Sequence, residues 1–389
     1  MKKYVVSFFV AAGIGIIVGT VESCFKLMVD QANRYRAHFM PYIFLLIPFA
    51  GILIVWVQSY LNEQNGMDVV IKAERKEVDS LSLKNAFFVL MSCLVSHLCG
   101  VSTGRAGVSM QMGATIAKHV CARLNVVDHV IPMGVAAAFS GLFCCPITSA
   151  IFACEVFNAK KFQYKSLILC LISSFMATLC AVLFGFHRAS FNFQYDFSIE
   201  IRNLINLIFL SFCFALIGKV FAYCLNGLKQ FANDKLQNKM FRIILLGFML
   251  MICMFFADGR YSGSGENLIQ EVFSDGNILW LDIVFKFGLT ILTAIAGYYG
   301  GEVTPLFSIG AMSGYVIGSM LGLPVLFCAA LGYGAVFMSA SNVYLTGLIL
   351  ILELFGFDFL VPGLIMGSIC YLVNHTCSIY PLRYKEENI

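Results

Sequence analysis

Long apolar runs separated by short polar segments make up most of this chain. Runs of about 20 apolar residues, the length at which a helix crosses the hydrocarbon core of a bilayer, begin near residues 4, 40, 84, 166, 203, 241, 277 and 358. Each of these runs predicts a transmembrane helix. Four further apolar segments are interrupted by Gly, Pro, Ser or Thr: 104–121, 131–157, 300–323 and 325–355. Interrupted backbone at membrane depth is tolerated only inside protein or along a water-filled path, so these segments predict broken or re-entrant helices.

The interrupted segments recur as related pairs in the two halves of the chain. Phe139, Thr148, Glu155 and Phe157 in AAAFSGLFCCPITSAIFACEVF match residues of GAVFMSASNVYLTGLILILELF at an offset of 198, and GRAGVSMQMGA shares three residues with GEVTPLFSIGA at 197. The glycine of NGMDVV matches that of SGENLI at 199. Motifs that hold one offset this closely predict two structural repeats, which we assign to residues 1–195 and 196–389 with no soluble domain. Interrupted helices in corresponding positions of two halves also indicate a transport site.

Glu155 and Glu353 are among the residues matched by this repeat. A carboxylate that recurs at the same place in both halves favours a structural role. We therefore expect a shared contact at helix ends from these two residues rather than proton transfer.

The composition excludes most soluble classes of protein. Hydrophobic residues make up 59% of the 389 positions and charged residues 12%, against about 25% charged in a typical soluble domain. A soluble enzyme, a nucleic-acid-binding protein and a disordered chain are excluded, and an all-α integral protein of the lipid bilayer is predicted. The positive-inside rule assigns basic connecting segments to the cytoplasm, which predicts a multi-pass protein of a bacterial-type inner (plasma) membrane. These basic residues include Lys72, Arg75, Lys76, Lys235, Lys239 and Arg242.

Sequence signatures of enzyme and cofactor chemistry are missing. There is no GxxxxGK[ST] loop for ATP, and the histidines follow no metal-ligand spacing. No Ser/His/Asp spacing or pair of carboxylates supplies a catalytic cluster. We therefore predict neither an enzyme nor a site for a cofactor or a metal.

Five motifs resemble those of the CLC family of anion channels and transporters. GRAGVSMQMGA resembles the family's GREGPxxQxGA segment, GGEVTPLFSIGA resembles GxFxPxLxxGA, and NGMDVV occupies the place of GSGIP. AAAFSGLFCCPITSAIFACEV resembles the AAxFxAPLxGxLFxxEE helix, and Tyr380 stands where the family has an anion-coordinating tyrosine. The motifs follow the family's order over nearly the whole chain. The resemblance implies two inverted-topology repeats and a homodimer with one pore per subunit.

Departures from the commonest CLC pattern resemble the fluoride-exporting branch, CLC-F. Met67 replaces the serine that meets the ion in chloride-handling members, and Val156 replaces the inner proton-transfer glutamate of the chloride/proton exchangers. Glu302, Val303 and Thr304 replace the usual Ile-Phe-Ala type of sequence. The resemblance implies a fluoride/proton antiporter whose proton path includes Glu302 and Thr304. An ion pair with Arg105 or another cation is the alternative role for Glu302.

Ala106 is the departure with the largest consequence, because it occupies the position of the family's gating glutamate. An alanine side chain has no ionisable group and cannot relay a proton. Either the alanine is native and the protein is channel-like or uncoupled, or the alanine replaces a native glutamate. In both cases we expect the chain as written to move its anion passively, or barely at all, without coupled protons.

An anion at membrane depth needs hydrogen-bond donors and positive potential, since isolating it in a low dielectric costs on the order of tens of kcal/mol. Helix N-termini supply both, and the tyrosine hydroxyl adds a donor. Helices that start after Gly66, Gly104 and Gly301 are therefore the predicted walls of a central site. We expect Arg105 to hold its segment by pairing with an acid. The candidate pore residues are Gly66, Met67, Gly104, Arg105, Ala106, Gly107, Val303 and Tyr380.

Three other functions stay open. A chloride/proton exchanger or chloride channel of the same fold is disfavoured by Met67 and Val156. A lipid-handling membrane enzyme would need a polar catalytic cluster near a membrane face. A cation-coupled symporter would need Asp and Asn along its unwound segments, and the carboxylates near the breaks are too few.

Overall fold

A computed structural model describes residues 2–61, 66–78, 81–122, 129–157, 164–191, 193, 195, 200–274 and 276–382. Over these residues the chain is almost entirely helical, which confirms the predicted all-α fold. The boundary predicted at 195/196 adjoins residues 196–199, which lie outside the described residues. The division into repeats at that boundary therefore stays a prediction.

The helices are numbered here in chain order. Two short 3₁₀ segments, Tyr42–Leu46 and Phe357–Phe359, precede α2 and α16. The helices are α1 (Lys2–His38), α2 (Ile47–Leu61), α3 (Met67–Glu74), α4 (Leu83–Cys99), α5 (Ala106–Cys121), α6 (Val130–Phe143), α7 (Pro146–Phe157), α8 (Tyr164–Leu183), α9 (Ile201–Lys235), α10 (Lys239–Phe256), α11 (Glu266–Phe273), α12 (Trp280–Ala296), α13 (Val303–Leu321), α14 (Val325–Ser341), α15 (Tyr344–Phe355) and α16 (Leu360–Val373).

The long apolar runs form helices where the pattern predicts them. α4, α12 and α16 begin at residues 83, 280 and 360, close to the predicted starts, but at 14 to 17 residues they are shorter than a full membrane span. Six described segments have the length and composition needed to cross a membrane: Val5–His38, Tyr42–Leu61, Tyr164–Leu183, Ile201–Lys235, Lys239–Phe256 and Val303–Leu321.

Two of the interrupted segments break at repeat-related residues. α6 ends at Cys144, and α14 ends at Asn342, which lies 198 residues further on. Both residues have left-handed backbone, with φ of 55° and 56°, and a residue in this conformation terminates a helix. Cys144 and its neighbour Cys145 are free thiols. Cys144 therefore belongs to a helix break that both halves share.

Glycines bring the paired helices of each half into backbone contact. A Cβ atom at Gly113 of α5 would collide with the carbonyl of Gly134 in α6. A Cβ atom at Gly310 of α13 would collide with the carbonyl of Gly332 in α14. Small residues allow this close approach of helices within a membrane. The pair α5–α6 and the pair α13–α14 are thus packed by the same device.

Reciprocal caps join the two halves at helix N-termini. Glu353 of α15 accepts hydrogen bonds from the backbone N (2.9 Å) and the Oγ1 (2.6 Å) of Thr148, in the first turn of α7. Glu155 of α7 accepts the same two bonds from Thr346 N (2.9 Å) and Oγ1 (2.7 Å), in the first turn of α15. A carboxylate at a helix N-terminus satisfies free N–H groups and the helix dipole. The predicted contacts of Glu155 and Glu353 with helix ends are confirmed.

Candidate anion pathway

The starts of α5 and α13 meet through a backbone bridge of two hydrogen bonds. Gly104 N donates to Gly301 O (2.7 Å), and Gly301 N donates to Gly104 O (2.8 Å). Each glycine comes just before the helix of its own half, at the repeat offset of 197. The bridge therefore brings two helix N-termini, with the positive ends of their dipoles, to one place inside the protein.

Only glycine fits at this bridge. A Cβ atom at Gly104 would lie 2.9 Å from Gly301 O, and a Cβ atom at Gly301 would lie 2.6 Å from Gly107 N. The atoms in the way belong to the backbone, so they cannot move aside as the end of a flexible side chain would. Each motif glycine is thus required because the backbone of the other half occupies the place of a Cβ atom.

A cavity of about 510 Å³ opens on one side of the bridge, where Met67, Gly107, Val303 and Tyr380 border it. Most of its charged residues are basic, and we name it the lysine-rich cavity. An excess of positive charge in a cleft raises the local concentration of anions. The charged residues are Lys72, Lys229, Lys239 and Arg242, with Asp68 and Glu302 as acids.

A second cavity, of about 550 Å³, is bordered by Arg105 and Thr304, and we name it the Arg105 cavity. Ala106 is 1% exposed and lies in the chain between Arg105, which faces this cavity, and Gly107, which faces the lysine-rich cavity. The residue expected at the gating position, Ala106, is thus buried, and its two neighbours in the chain border different cavities. The other charged or titratable residues of the Arg105 cavity are Lys26, Asp30, His187, Glu266 and Tyr333.

Equivalent residues of the two helix starts face opposite cavities. Arg105 borders the Arg105 cavity, and its equivalent at offset 197, Glu302, borders the lysine-rich cavity. Gly107 borders the lysine-rich cavity, and its equivalent Thr304 borders the Arg105 cavity. Repeats of inverted topology produce this exchange of sides. One consequence is that Glu302 and Thr304 lie on opposite sides of the bridge.

The start of α3 supplies a third wall of the lysine-rich cavity. Gly66 has a φ of 93°, and its N–H donates to Gln111 Oε1 of α5 (2.8 Å). This N–H is therefore already used and is not free to bind an ion. Met67 and Tyr380 are 7% and 4% exposed and border the same cavity. The backbone N of Tyr380 donates to Ser378 Oγ (3.1 Å). This hydrogen bond fixes the short segment that carries the tyrosine.

Three ion pairs flank the bridge. Arg105 Nη1 lies 3.3 Å from Asp30 Oδ1, and Arg105 Nη2 lies 3.5 Å from Glu266 Oε1. On the other side, Lys229 Nζ lies 3.3 Å from Glu302 Oε1. Arg105 thus pairs with acids, as expected, and the partner of Glu302 is Lys229 rather than Arg105.

Two of these ion pairs, Arg105–Asp30 and Glu302–Lys229, are related by the repeat, but their charges are exchanged. Asp30 of α1 and Lys229 of α9 are 199 residues apart, while Arg105 and Glu302 are 197 apart. Our sequence reasoning did not find Asp30, Lys229 or the cap by Gln111. Extending the repeat alignment to α1 and α9 would have found the first two, since these helices keep the offset of 199.

The chain resembles known proteins over nearly its full length. A family model described as voltage gated chloride channel matches residues 49–375. The "Chloride/fluoride channel protein" of Pseudomonas syringae pv. tomato is 26% identical over 98% of this chain and 87% of its own length. The H(+)/Cl(-) exchange transporter ClcA of Vibrio campbellii is 24% identical over 93% of this chain and 84% of its own.

Solved structures agree with this assignment. The crystal structure of a CLC-type fluoride/proton antiporter superposes with a TM-score of 0.94 at 32% identity, covering 98% of both chains. A slow cyanobacterial Cl⁻/H⁺ antiporter superposes with a TM-score of 0.79 at 18% identity, over 94% and 93% of the two chains, and shares the fold. With the family model matched over most of its length, this chain belongs to the voltage gated chloride channel (CLC) family and is an anion transporter of CLC type, not an enzyme.

Proposed function

We propose that this chain transports fluoride, that its native activity is the export of fluoride in exchange for protons, and that with Ala106 it moves fluoride passively. The observation that carries the proposal is the bridge between Gly104 and Gly301, which holds two helix N-termini between two cavities. No ionisable side chain stands at the gating position between them.

The anion enters the lysine-rich cavity and binds where helix starts converge. Positive charge from four basic side chains draws it in. The N-termini of α3, α5 and α13 then replace its hydration shell with backbone N–H groups around Met67, Ala106 and Val303. The hydroxyl of Tyr380 supplies one further donor. Gly107, on the same cavity wall, lets backbone approach the ion.

Two features support fluoride as the anion. Met67 borders the cavity without a hydroxyl group, so a donor suited to larger halides is missing there. The solved structure that is 32% identical to this chain is of a fluoride/proton antiporter, and one relative is named a chloride/fluoride channel protein. A chloride/proton exchanger or chloride channel is the alternative, and the Vibrio relative is such an exchanger.

The proton path includes Glu302 and is interrupted at Ala106. The Glu302 carboxylate is partly exposed to the lysine-rich cavity and is held by Lys229, so protons reach it from solvent. Thr304 lies across the bridge in the Arg105 cavity. A proton that moves between the two sides needs an acceptor between Glu302 and the far cavity, and the alanine offers none. Fluoride therefore moves without protons in this chain.

We further propose that the protein is a homodimer in the bacterial inner membrane, with one pathway in each subunit. The lysine-rich cavity faces the cytoplasm, because its wall includes Lys72 of α3 and, in the first turn of α10, Lys239 and Arg242. Basic residues near helix ends favour the cytoplasmic side. In that orientation the cavity collects fluoride from inside the cell.

Ion efflux from proteoliposomes tests the choice of anion. Fluoride and chloride electrodes measure release from vesicles that contain the unmodified chain, Met67→Ser or Met320→Ser. We expect faster fluoride than chloride efflux from the unmodified chain and a larger chloride share for Met67→Ser. Met320 is 77% exposed on α13, so its substitution leaves the ratio unchanged. Chloride efflux equal to or faster than that of fluoride in the unmodified chain would favour the chloride alternative.

A further inference from the structure

Glu22 is a buried carboxyl group that the proposed pathway does not use. It lies in α1 with 1% of its surface exposed, and neither carboxyl oxygen has a hydrogen-bond partner among the described residues. A buried ionisable group at membrane depth is costly to keep and is functional by default. Packing does not require a carboxyl here, since the equivalent position in α9, at offset 199, is the fully buried Phe221.

The surroundings of Glu22 connect it to the start of α5. The hydroxyl of Ser109 faces the carboxyl group and is itself buried without a hydrogen-bond partner in the described part of the chain. Arg105, one helical turn before Ser109, is a positive charge close enough to act on the carboxyl group. On the opposite side, Gly141 of α6 leaves room for the Glu22 side chain, because a Cβ atom at Gly141 would lie 3.1 Å from Glu22 Cβ. The carboxyl group thus stands behind the N-terminal turn of α5.

The other helices around Glu22 bring few titratable groups. α4 brings the buried thiol of Cys93, and α8 brings Cys180, whose thiol donates to the carbonyl of Ile16 (3.7 Å). α6, as described, has no ionisable side chain. On α1 itself the neighbour is Lys26, one turn further along. Arg105 is therefore the charged group that acts on this carboxyl.

Glu22 lies on the same face of α1 as two residues that border the Arg105 cavity. Glu22, Lys26 and Asp30 follow one another at four-residue spacing, which places them on one face of α1. Lys26 and Asp30 border the Arg105 cavity. Glu22 consequently lies one turn deeper than the wall of a water-accessible cavity.

We propose that Glu22 is a proton-binding site, reached from the Arg105 cavity, whose protonation favours passage of the anion past the start of α5. In its neutral form the carboxyl leaves the positive end of α5 free to act on the anion. In its ionised form it adds a negative charge behind the same helix start and opposes entry of the anion. The proposal rests on the proposed function only in that the chain moves an anion, whichever halide that is.

Flux measured at a series of pH values tests the site. Initial rates of anion efflux are recorded with equal pH on both sides and the voltage clamped to zero by an ionophore. For the unmodified chain we expect the rate to fall about tenfold as pH rises, the effect of one partly screened charge beside the path. Glu22→Gln keeps the size of the side chain, and it should hold the acid rate at every pH. Asp358→Asn, on an exposed carboxylate outside both cavities, should keep the full profile.

A second variant tests the proposal if Glu22→Gln does not fold. A second measurement tests it if anion flux cannot be recorded. Ser109→Ala removes the hydroxyl facing the carboxyl, and the pH midpoint should rise because the ionised form loses a donor. Infrared difference spectra between acid and alkaline samples should show the C=O stretch of a protonated buried carboxyl, which disappears in Glu22→Gln. An unchanged pH profile in Glu22→Gln overturns the proposal, as does an infrared difference spectrum without that band. Chloride selectivity alone would overturn the proposed function and leave this site standing.

Discussion

The starts of α5 and α13 have the same backbone but opposite chemistry. Each begins after a glycine of the bridge, and each packs against a partner helix through a repeat-related glycine pair. At the equivalent second position, however, α5 has Arg105 and α13 has Glu302. Their partners are exchanged as well, Asp30 on α1 and Lys229 on α9. The repeat thus fixes the geometry, while the side chains give each cavity its own electrostatics.

This difference explains how two halves with similar backbones can give the two sides of the pathway different roles. The backbone donors at the bridge serve an anion from either side equally. At the equivalent position Glu302 is a carboxylate with 23% of its side chain exposed, whereas Arg105 is a guanidinium with 7% exposed, held by two acids. In the proposed function, therefore, the second half contributes Glu302 to the proton path, and Ala106 in the first half interrupts that path.

The bridge glycines are where the two halves should behave identically, and where the largest effect is expected. Gly104→Ala and Gly301→Ala each place a Cβ atom within 3 Å of backbone. We expect each to cost about 1–3 kcal/mol of stability through overpacking and to lower anion efflux by at least about tenfold. Thermal unfolding in detergent and proteoliposome flux measure the two effects.

Gly288→Ala in α12 is the matched control, since a Cβ atom at Gly288 would meet nothing within 4 Å. Its stability and flux should equal those of the unmodified chain. Normal flux in either bridge variant would show that the close approach of the two helix starts is not needed for transport.

The reciprocal caps should also be equal in the two halves, with a smaller effect. Glu155→Gln and Glu353→Gln each weaken the charge-assisted bonds to the first turn of the opposite helix. We expect a loss of about 1–2 kcal/mol in each case, because a neutral amide is a weaker cap than a carboxylate at a helix N-terminus. Thermal unfolding measures both, with the exposed Asp358→Asn as control. A clear inequality between the two variants would break the equivalence of the halves.

Much of this arrangement could be predicted from the sequence, because glycines recur at matching positions in the two halves. The repeat offset in the sequence identifies the segments that contain the helix breaks at Cys144 and Asn342. It also identifies the segments that pair through Gly104 and Gly301. Backbone constraints of this kind limit the choice to one residue type, and that choice leaves a pattern.

Side-chain partners were harder to predict for a physical reason. Lys229 reaches Glu302 across 73 positions of sequence, and Gln111 reaches Gly66 across 45. A long polar side chain at either place would also fit a solvated helix face, so residue type alone does not identify the contact. Glu22 was missed for the same reason, since a single carboxylate in a first helix becomes informative only when its burial is known.

The two halves should differ in the coupling energies of their ion pairs. These energies are the smallest of the expected effects. The Arg105 side chain is 7% exposed, while that of Lys229 is 43% exposed. Solvent screening therefore limits the coupling energy of the Lys229–Glu302 pair to about 0.2–1 kcal/mol, and we expect a larger value for Arg105 with Asp30. Double-mutant cycles with Arg105→Gln and Asp30→Asn, and with Lys229→Gln and Glu302→Gln, measure the two energies. Equal coupling energies would contradict the difference in screening.

Proton movement coupled to fluoride efflux tests most directly whether Ala106 interrupts the path. A pH electrode and a fluoride electrode follow the same proteoliposomes for the unmodified chain, Ala106→Glu and Ala106→Gln, the last of these being similar in size but unable to ionise. We predict fluoride efflux without proton movement for the unmodified chain and for Ala106→Gln, and proton movement opposite to fluoride for Ala106→Glu. Proton movement coupled to fluoride in the unmodified chain, or its absence in a folded Ala106→Glu variant that transports fluoride, would contradict the proposal.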